Sequence, residues 1–325
     1  MIIDKTEINR ILVITLSNVG DIILTTPVIS VLTKEFPDAR MDVMVGPQGR
    51  EIFEKDPSIF KVIIYDKHMP MSEKARLQMK LKKLRYDLVV DVRNTVFPLL
   101  IGPKYRTATI QKLPHHIIHS KKTHLYRLRS VGIDNLEEAS YIHVTSDDEE
   151  YVDQLLKGYG ISDPIAVINP GAKSHIKRWT AGGFAEVADR LMVECRASAV
   201  FTGAKEDEAV VSDIITRMKN KPYNLVEKTN IRQLASLIKR AKVLITNDSA
   251  PLHLGNAVGA KVVAIFGPTD PRKYGPTGEF DVVIKEKLSC APCERAECSH
   301  NYECMRSISP DLVFDAAKMI IEGYE

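Results

Sequence analysis

The chain has 325 residues, of which 44% are hydrophobic and 27% charged, with a formal net charge of +3. That length exceeds one comfortable core and suits two ordered domains of about 150 residues each, and the charge is too mild to argue for a nucleic-acid partner. No apolar run approaches the roughly 20 residues of a spanning helix, and the N-terminus lacks the marks of a signal peptide, so a cytoplasmic enzyme is expected.

In chain order, apolar runs at residues 11–16, 41–45, 61–65, 87–92 and 105–110 read as strands. Helical patterns at 21–36, 48–55, 72–85 and 123–131 separate them, the last stopped by Gly132. Strands that are apolar throughout and spaced by helices predict a parallel sheet covered on both faces. Residues 92–133 hold no Asp or Glu. They carry Arg93, Lys104, Arg106, Lys112, Lys121, Lys122, Arg127, Arg129 and four histidines. Two readings stand for this stretch: an attractor of an anionic partner, or a solvated loop neutralised from elsewhere in the fold.

The rhythm breaks between residues 135 and 164. Asp147, Asp148, Glu149 and Glu150 open a helix reaching about residue 159, where they suit the positive end of its dipole. Gly160 and Pro164 mark a boundary, giving domains 1–160 and 161–325. The second half restarts with strands at 165–168, 199–202, 224–226, 243–246 and 261–266. Helices follow at 180–194, 206–218, 231–240, 249–258 and 310–322, the last with Pro310 in its first turn. This final helix is free to pack back on the first domain. Two tandem doubly wound α/β units predict ligands at the carboxyl ends of the strands, in a cleft between the units.

The loop after each domain's first strand is the place to look for chemistry. In the first domain it is Ser17-Asn18-Val19-Gly20-Asp21, where Gly20 permits a tight turn. Asp21 reads either as the cap of the following helix or as a general base. The equivalent loop of the second domain runs from Asn169 through Gly171, Lys173, Lys177 and Arg178 to Trp179, with no acid. Backbone N–H groups before a helix, beside three cations, favour a diphosphate; the plainer reading is a solvated basic loop. Trp179 is expected to pack rather than stack on a base. Further on, Asn247 or Asp248 is placed to cap a helix, and Ser249 and Ala250 offer N–H groups to phosphate oxygens. His253 is read as orienting that loop, and Thr269 lies in a similar turn after the next strand.

Together these loops resemble glycosyltransferase family nine, the ADP-heptose:lipopolysaccharide heptosyltransferases. The matching segments are residues 19–27, Asn169-Pro170-Gly171-Ala172 with Lys177-Arg178-Trp179, residues 247–253, and Gly267-Pro268-Thr269-Asp270-Pro271. The resemblance implies a GT-B fold, two Rossmann-like doubly wound domains facing a central cleft, and an inverting transfer that needs no catalytic cofactor. It implies Asp21 as base, with its capping role kept beside that, and Lys177 as stabiliser of the leaving diphosphate. Asp248 would hold donor-sugar hydroxyls, Ser249 and Ala250 the phosphates, and Glu208 the ribose, with Glu206 and Asp207 as neighbouring alternatives. ADP-heptose is then the donor. The acceptor is an anionic lipid A–Kdo core at the inner face of the inner membrane, approached through Gly20, Lys121, Lys122, Arg127 and Arg129. A sugar-nucleotide epimerase or hydrolase on the same fold, or a transferase using another nucleotide sugar, is the competing reading.

Cys290, Cys293, Cys298 and Cys304 fall within fifteen residues. Thiolates so close suit a structural zinc or iron that staples the loop, with reduced thiols as the alternative and disulfides disfavoured in a reducing compartment.

Overall fold

Four of the five side chains in the first strand, β1 (Arg10–Ile14), are buried, as the apolar run requires. The computed structural model describes residues 3–15, 18–136 and 139–323. The chain divides into two compact units, Met1–His143 and Val144–Glu325. In the first unit β1 is followed by β2 (Arg40–Val45), β3 (Lys61–Ile64), β4 (Leu88–Asp91) and β5 (Tyr105–Arg106). They form one parallel sheet in the order β3-β2-β1-β4-β5, with Val13 in register with Val43 and Val90.

Among the described residues, α1 (Val19–Ile23), α2 (Thr26–Glu35), α3 (Arg50–Phe53), α4 (Met71–Lys83) and α5 (Phe97–Ile101) join these strands, and α6 (Ser120–Tyr126) follows the last of them. The single helix expected at 21–36 is divided into α1 and α2. The Thr25 and Thr26 hydroxyls donate back to the carbonyls of Ile22 and Ile23 at 2.6 and 2.8 Å, and Pro27 has no N–H to continue the ladder. The expected strand at 105–110 ends at Arg106, because the Thr107 hydroxyl, not its backbone, accepts the Asp91 N–H at 2.9 Å. After α6 the chain tightens into a 3-10 turn, Arg127–Val131, and stops at Gly132, whose φ is 81°.

The second unit contains β6 (Ile165–Asn169), β7 (Ser198–Phe201), β8 (Tyr223–Asn224), β9 (Val243–Asn247), β10 (Val262–Ile265) and β11 (Val282–Ile284). They too are parallel, ordered β11-β10-β9-β6-β7-β8. Its helices are α7 (Ser146–Tyr159), α8 (Ala181–Glu194), α9 (Glu208–Arg217), α10 (Ile231–Arg240), α11 (Ala250–Ala257), α12 (Pro271–Tyr274), α13 (Glu303–Arg306) and α14 (Pro310–Glu322). Val313, Phe314 and Ala317 of α14 lie in this unit's core beside Leu191 of α8.

The division falls before α7, not after it as Gly160 and Pro164 suggest. Asp148, which closes a capping box with Thr145, also bonds the buried Arg232 of α10 at 2.8 Å, and the Tyr151 hydroxyl donates to the Lys228 carbonyl at 2.6 Å. Those bonds tie α7 to the second sheet's helices. Among the described residues no helix is long and apolar enough to cross a membrane.

Candidate active site

In the second sheet the winding direction reverses between β6 and β9, and the loops leaving these two strands carry the cations and carboxylate singled out by sequence. At such a reversal the two loops turn away from each other and leave a crevice at the carboxyl ends. Lys177, in the loop after β6, reaches Asp248, in the loop after β9, at 2.7 Å. The Thr269 hydroxyl, in the loop after β10, donates to the same Asp248 Oδ2 at 2.6 Å. Three loops thus meet on one buried carboxylate, while the Lys177 side chain stays 28% exposed and open to a ligand.

Buried asparagines hold these loops in place. Asn247 donates from its amide to the Pro170 carbonyl at 2.8 Å and accepts the Trp179 N–H at 3.1 Å, so it clasps both ends of the Lys177 loop. Asn169 donates to the carbonyl and hydroxyl of Thr202, both at 3.1 Å, fastening the neighbouring turn after β7. Neither clamp was assigned from the sequence. The available signal is a polar residue at the last position of a fully buried strand, a burial that requires hydrogen-bond partners. Trp179 packs as expected, edge-on to Phe184 with ring centroids 5.0 Å apart, its indole N–H on the Ile308 carbonyl at 3.2 Å.

The expectation that Asn247 or Asp248 caps α11 is corrected: Ser249 is the N-cap residue, because the two preceding side chains are already engaged across the sheet edge. Ser249 and Ala250 open the helix half-buried, and His253 is buried one turn inside. Lys173 is exposed. A Cβ on Gly171 would lie 2.5 Å from the Asp207 carboxylate, so that loop needs glycine to pass its neighbour. Asp207 itself accepts the Ala204 N–H at 3.1 Å, which leaves Glu206 and the exposed Glu208, first residue of α9, without that duty.

In the first unit Asp21 is half-buried in the first turn of α1, and its Oδ2 accepts the Asn18 amide at 3.0 Å. Its expected capping role is not found, since Asn18 holds the N-cap position three residues earlier. The carboxylate is therefore directed by a side chain rather than consumed by the helix backbone. Gly20 precedes it in the same turn; Ser17 lies outside the described residues.

Counter-charges do reach the basic stretch from outside it: Lys104 pairs with Glu7, and Arg129 approaches Asp134 at 3.6 Å. Arg127 bonds Asn94, and burial lowers its pKa. Burial followed by the neighbouring Lys122 lowers that of Lys121, while Lys122 is exposed. His124 is buried with no partner on its Nδ1; burial first, then Arg127 and His119, push its pKa down to about 4.

The cysteine expectation fares differently. Cys290, Cys293, Cys298 and Cys304 are free and line one cavity of about 370 Å³ with Ile176, Pro268 and Tyr302. Among the described residues no group of three or more His, Cys, Asp or Glu stands where it could hold a metal ion, so the structure gives the zinc or iron staple no support. Other contacts fasten the segment. The Pro268 carbonyl accepts the Cys293 and Glu294 N–H groups at 2.9 and 2.8 Å, Cys298 Sγ accepts the Tyr302 N–H at 3.2 Å, and Cys304 and Met305 are buried against Gly267.

A model of glycosyltransferase family 9 (heptosyltransferase) matches residues 75–303, more than half of the chain. The chain belongs to this family. It is 24% identical over 322 residues to lipooligosaccharide heptosyltransferase 2 of Campylobacter jejuni, covering 94% of this chain and 96% of that one. It is 29% identical over 285 residues to lipopolysaccharide heptosyltransferase 3 of Escherichia coli K12, covering 80% and 83%. Among solved structures, a family 9 glycosyl transferase from Veillonella parvula superposes with a TM-score of 0.85 at 24% identity, covering 97% of each chain. The ADP-heptose heptosyltransferase II of E. coli gives 0.78 at 21%, covering 97% and 99%. The fold is GT-B, and this family 9 member is a glycosyltransferase.

Proposed function

We propose that this glycosyltransferase moves a heptose from ADP-heptose to the inner core of a lipopolysaccharide, inverting the anomeric centre without a catalytic metal. The observation that carries the reading is the meeting of Lys177, Asp248 and Thr269 at the reversal point of the second sheet. Lys177 and Thr269 both occupy Asp248 Oδ2, which leaves Oδ1 as an acceptor for a donor-sugar hydroxyl. A diphosphate arriving at the loop of Gly171 and Lys173, with the N–H groups of Ser249 and Ala250 nearby, competes with Asp248 for the Lys177 ammonium and draws it onto the leaving group. In the transfer, the acceptor hydroxyl oxygen bonds the anomeric carbon and gives its proton to Asp21. The bond from that carbon to the diphosphate oxygen breaks, and ADP leaves with the electron pair while Lys177 offsets its charge. Glu208 takes the ribose hydroxyls. Lys121, Lys122, Arg127 and Arg129 take the carboxylates and phosphates of a lipid A–Kdo acceptor, supported by the acid-free composition around them.

The test is Asp21→Asn assayed for ADP release across defined truncated core acceptors. A base removed from a proton transfer lowers kcat roughly 10²- to 10⁴-fold, and ADP affinity by calorimetry stays as in the wild type. Unchanged turnover would remove Asp21 from the mechanism, and ADP release without any acceptor would point to a hydrolase instead.

A further inference from the structure

Fifteen large apolar side chains are exposed among the described residues, and five of them lie within residues 96–118: Val96, Leu99, Leu100, Ile110 and Ile118. Ile110 is 91% exposed. These residues occupy one corner of the first unit. Val96 to Leu100 follow the carboxyl end of β4, and Ile110 and Ile118 lie in the loop leaving the neighbouring β5. The two loops are joined by the Asp91 N–H on the Thr107 hydroxyl at 2.9 Å. The second is tied to the turn after α6 by the Ala108 N–H on Ser130 Oγ at 3.0 Å. α5 divides its side chains sharply, burying Phe97, Pro98 and Ile101 while Leu99 and Leu100 face outward.

The charges around this apolar corner have one sign. Arg106 and Lys112 are exposed within it, and no Asp or Glu occurs from residue 92 to 133. The nearest acids are engaged: Asp91 accepts from the N–H groups of Arg93 and Thr95 and the Thr95 hydroxyl, Glu7 pairs with Lys104, and Asp134 with Arg129. A protein partner selects against lysine at the centre of an interface. Apolar side chains set among cations match a bilayer surface instead, where the former enter the headgroup boundary and the latter meet lipid phosphates.

We propose that this corner docks the enzyme on an anionic lipid bilayer. The inference deepens the proposed function, since it says where the chain meets the membrane that carries its acceptor. It is tested apart from that reading, on vesicles that contain no acceptor glycolipid. The full chain is sedimented with vesicles rich in phosphatidylglycerol and with vesicles of phosphatidylcholine alone, at low and high salt. Binding is expected to the anionic vesicles only and to weaken with salt. The Leu99→Asp, Leu100→Asp, Ile110→Asp triple variant is expected to lower the partition coefficient roughly tenfold or more while ADP affinity holds. The Arg106→Glu, Lys112→Glu pair tests the same surface without touching apolar packing and is expected to flatten the salt dependence. Equal binding to both vesicle types, no binding to either, or wild-type binding by the charge-reversed pair would overturn the proposal. So would self-association through this corner in the absence of lipid, seen as a dimer that the triple variant abolishes. Transfer to a soluble truncated acceptor by the triple variant at the wild-type rate would leave the proposed function standing in any of these cases.

Discussion

A carboxylate that holds an ammonium and a hydroxyl on one oxygen has its orientation set before any ligand arrives, and Asp248 is in that position between Lys177 and Thr269. Asp248→Asn keeps the shape and removes the charge that draws Lys177. The donor KM is expected to rise roughly tenfold, in line with the loss of a charge-assisted contact, with a smaller change in melting temperature. Steady-state kinetics over a range of donor concentrations decide it; a fall in stability with unaltered kinetics would make Asp248 a purely structural residue. His124 makes a second case at this scale. Its pKa of about 4, against an ordinary value near 6.5, means the unfolded chain takes up a proton that the native protein refuses. Its neutral burial is therefore without penalty above pH 6.5, and stability is lost as pH falls from 6.5 towards 4. Linkage puts the loss at about 2 kcal/mol between pH 8 and 5. Urea unfolding at the two pH values should show it, and His124→Gln should flatten that part of the profile.

Among the elements, α7 illustrates how a buried ion pair decides ownership. Burial works against ionisation of Asp148, but the Arg232 guanidinium and the Thr145 hydroxyl and N–H outweigh it and hold its carboxyl below the usual range. The side chains of Arg232 and Asp148 are only 9% and 5% exposed. Removing one partner of such a pair leaves the other charge buried, a loss of about 3 kcal/mol, whereas removing both is milder. Arg232→Met is expected to lower stability by about that amount, and Arg232→Met with Asp148→Asn to recover part of it, as denaturant titration would show. The cysteine segment makes the opposite point. Its spacing alone suited a metal, but backbone bonds to Pro268 and the burial of Cys304 and Met305 hold it. A chelator should leave the melting temperature where it was.

Over the whole molecule, the division at residues 143 and 144 has a consequence that a cut at 160 would not. Residues 144–325 expressed alone keep Asp148 with Arg232 and are expected to unfold cooperatively and bind ADP. Residues 161–325 lose α7 and are expected to be less stable, because the face of α10 that α7 covers is opened and Arg232 loses its bond to Asp148. Comparing the two fragments by calorimetry tests both the boundary and the pair.

The sequence by itself determined the alternation of strands and helices, the parallel character of both sheets and the loops that hold the candidate site. Those features rest on local periodicity and turn chemistry, which neighbouring residues settle among themselves. It carried the family resemblance as well, through motifs lying in those same loops. Only the tertiary structure decided that Lys177 meets Asp248 across 71 positions, that Asn247 clasps the Lys177 loop instead of capping α11, and that Asp21 lies in the first turn of α1 beside Asn18. It also decided that α7 belongs to the second unit and that the four cysteines line one cavity with Ile176, Pro268 and Tyr302. Each of these depends on which distant groups share a buried space. A buried polar group must take the partner the fold brings to it, whatever role its sequence neighbours would have assigned.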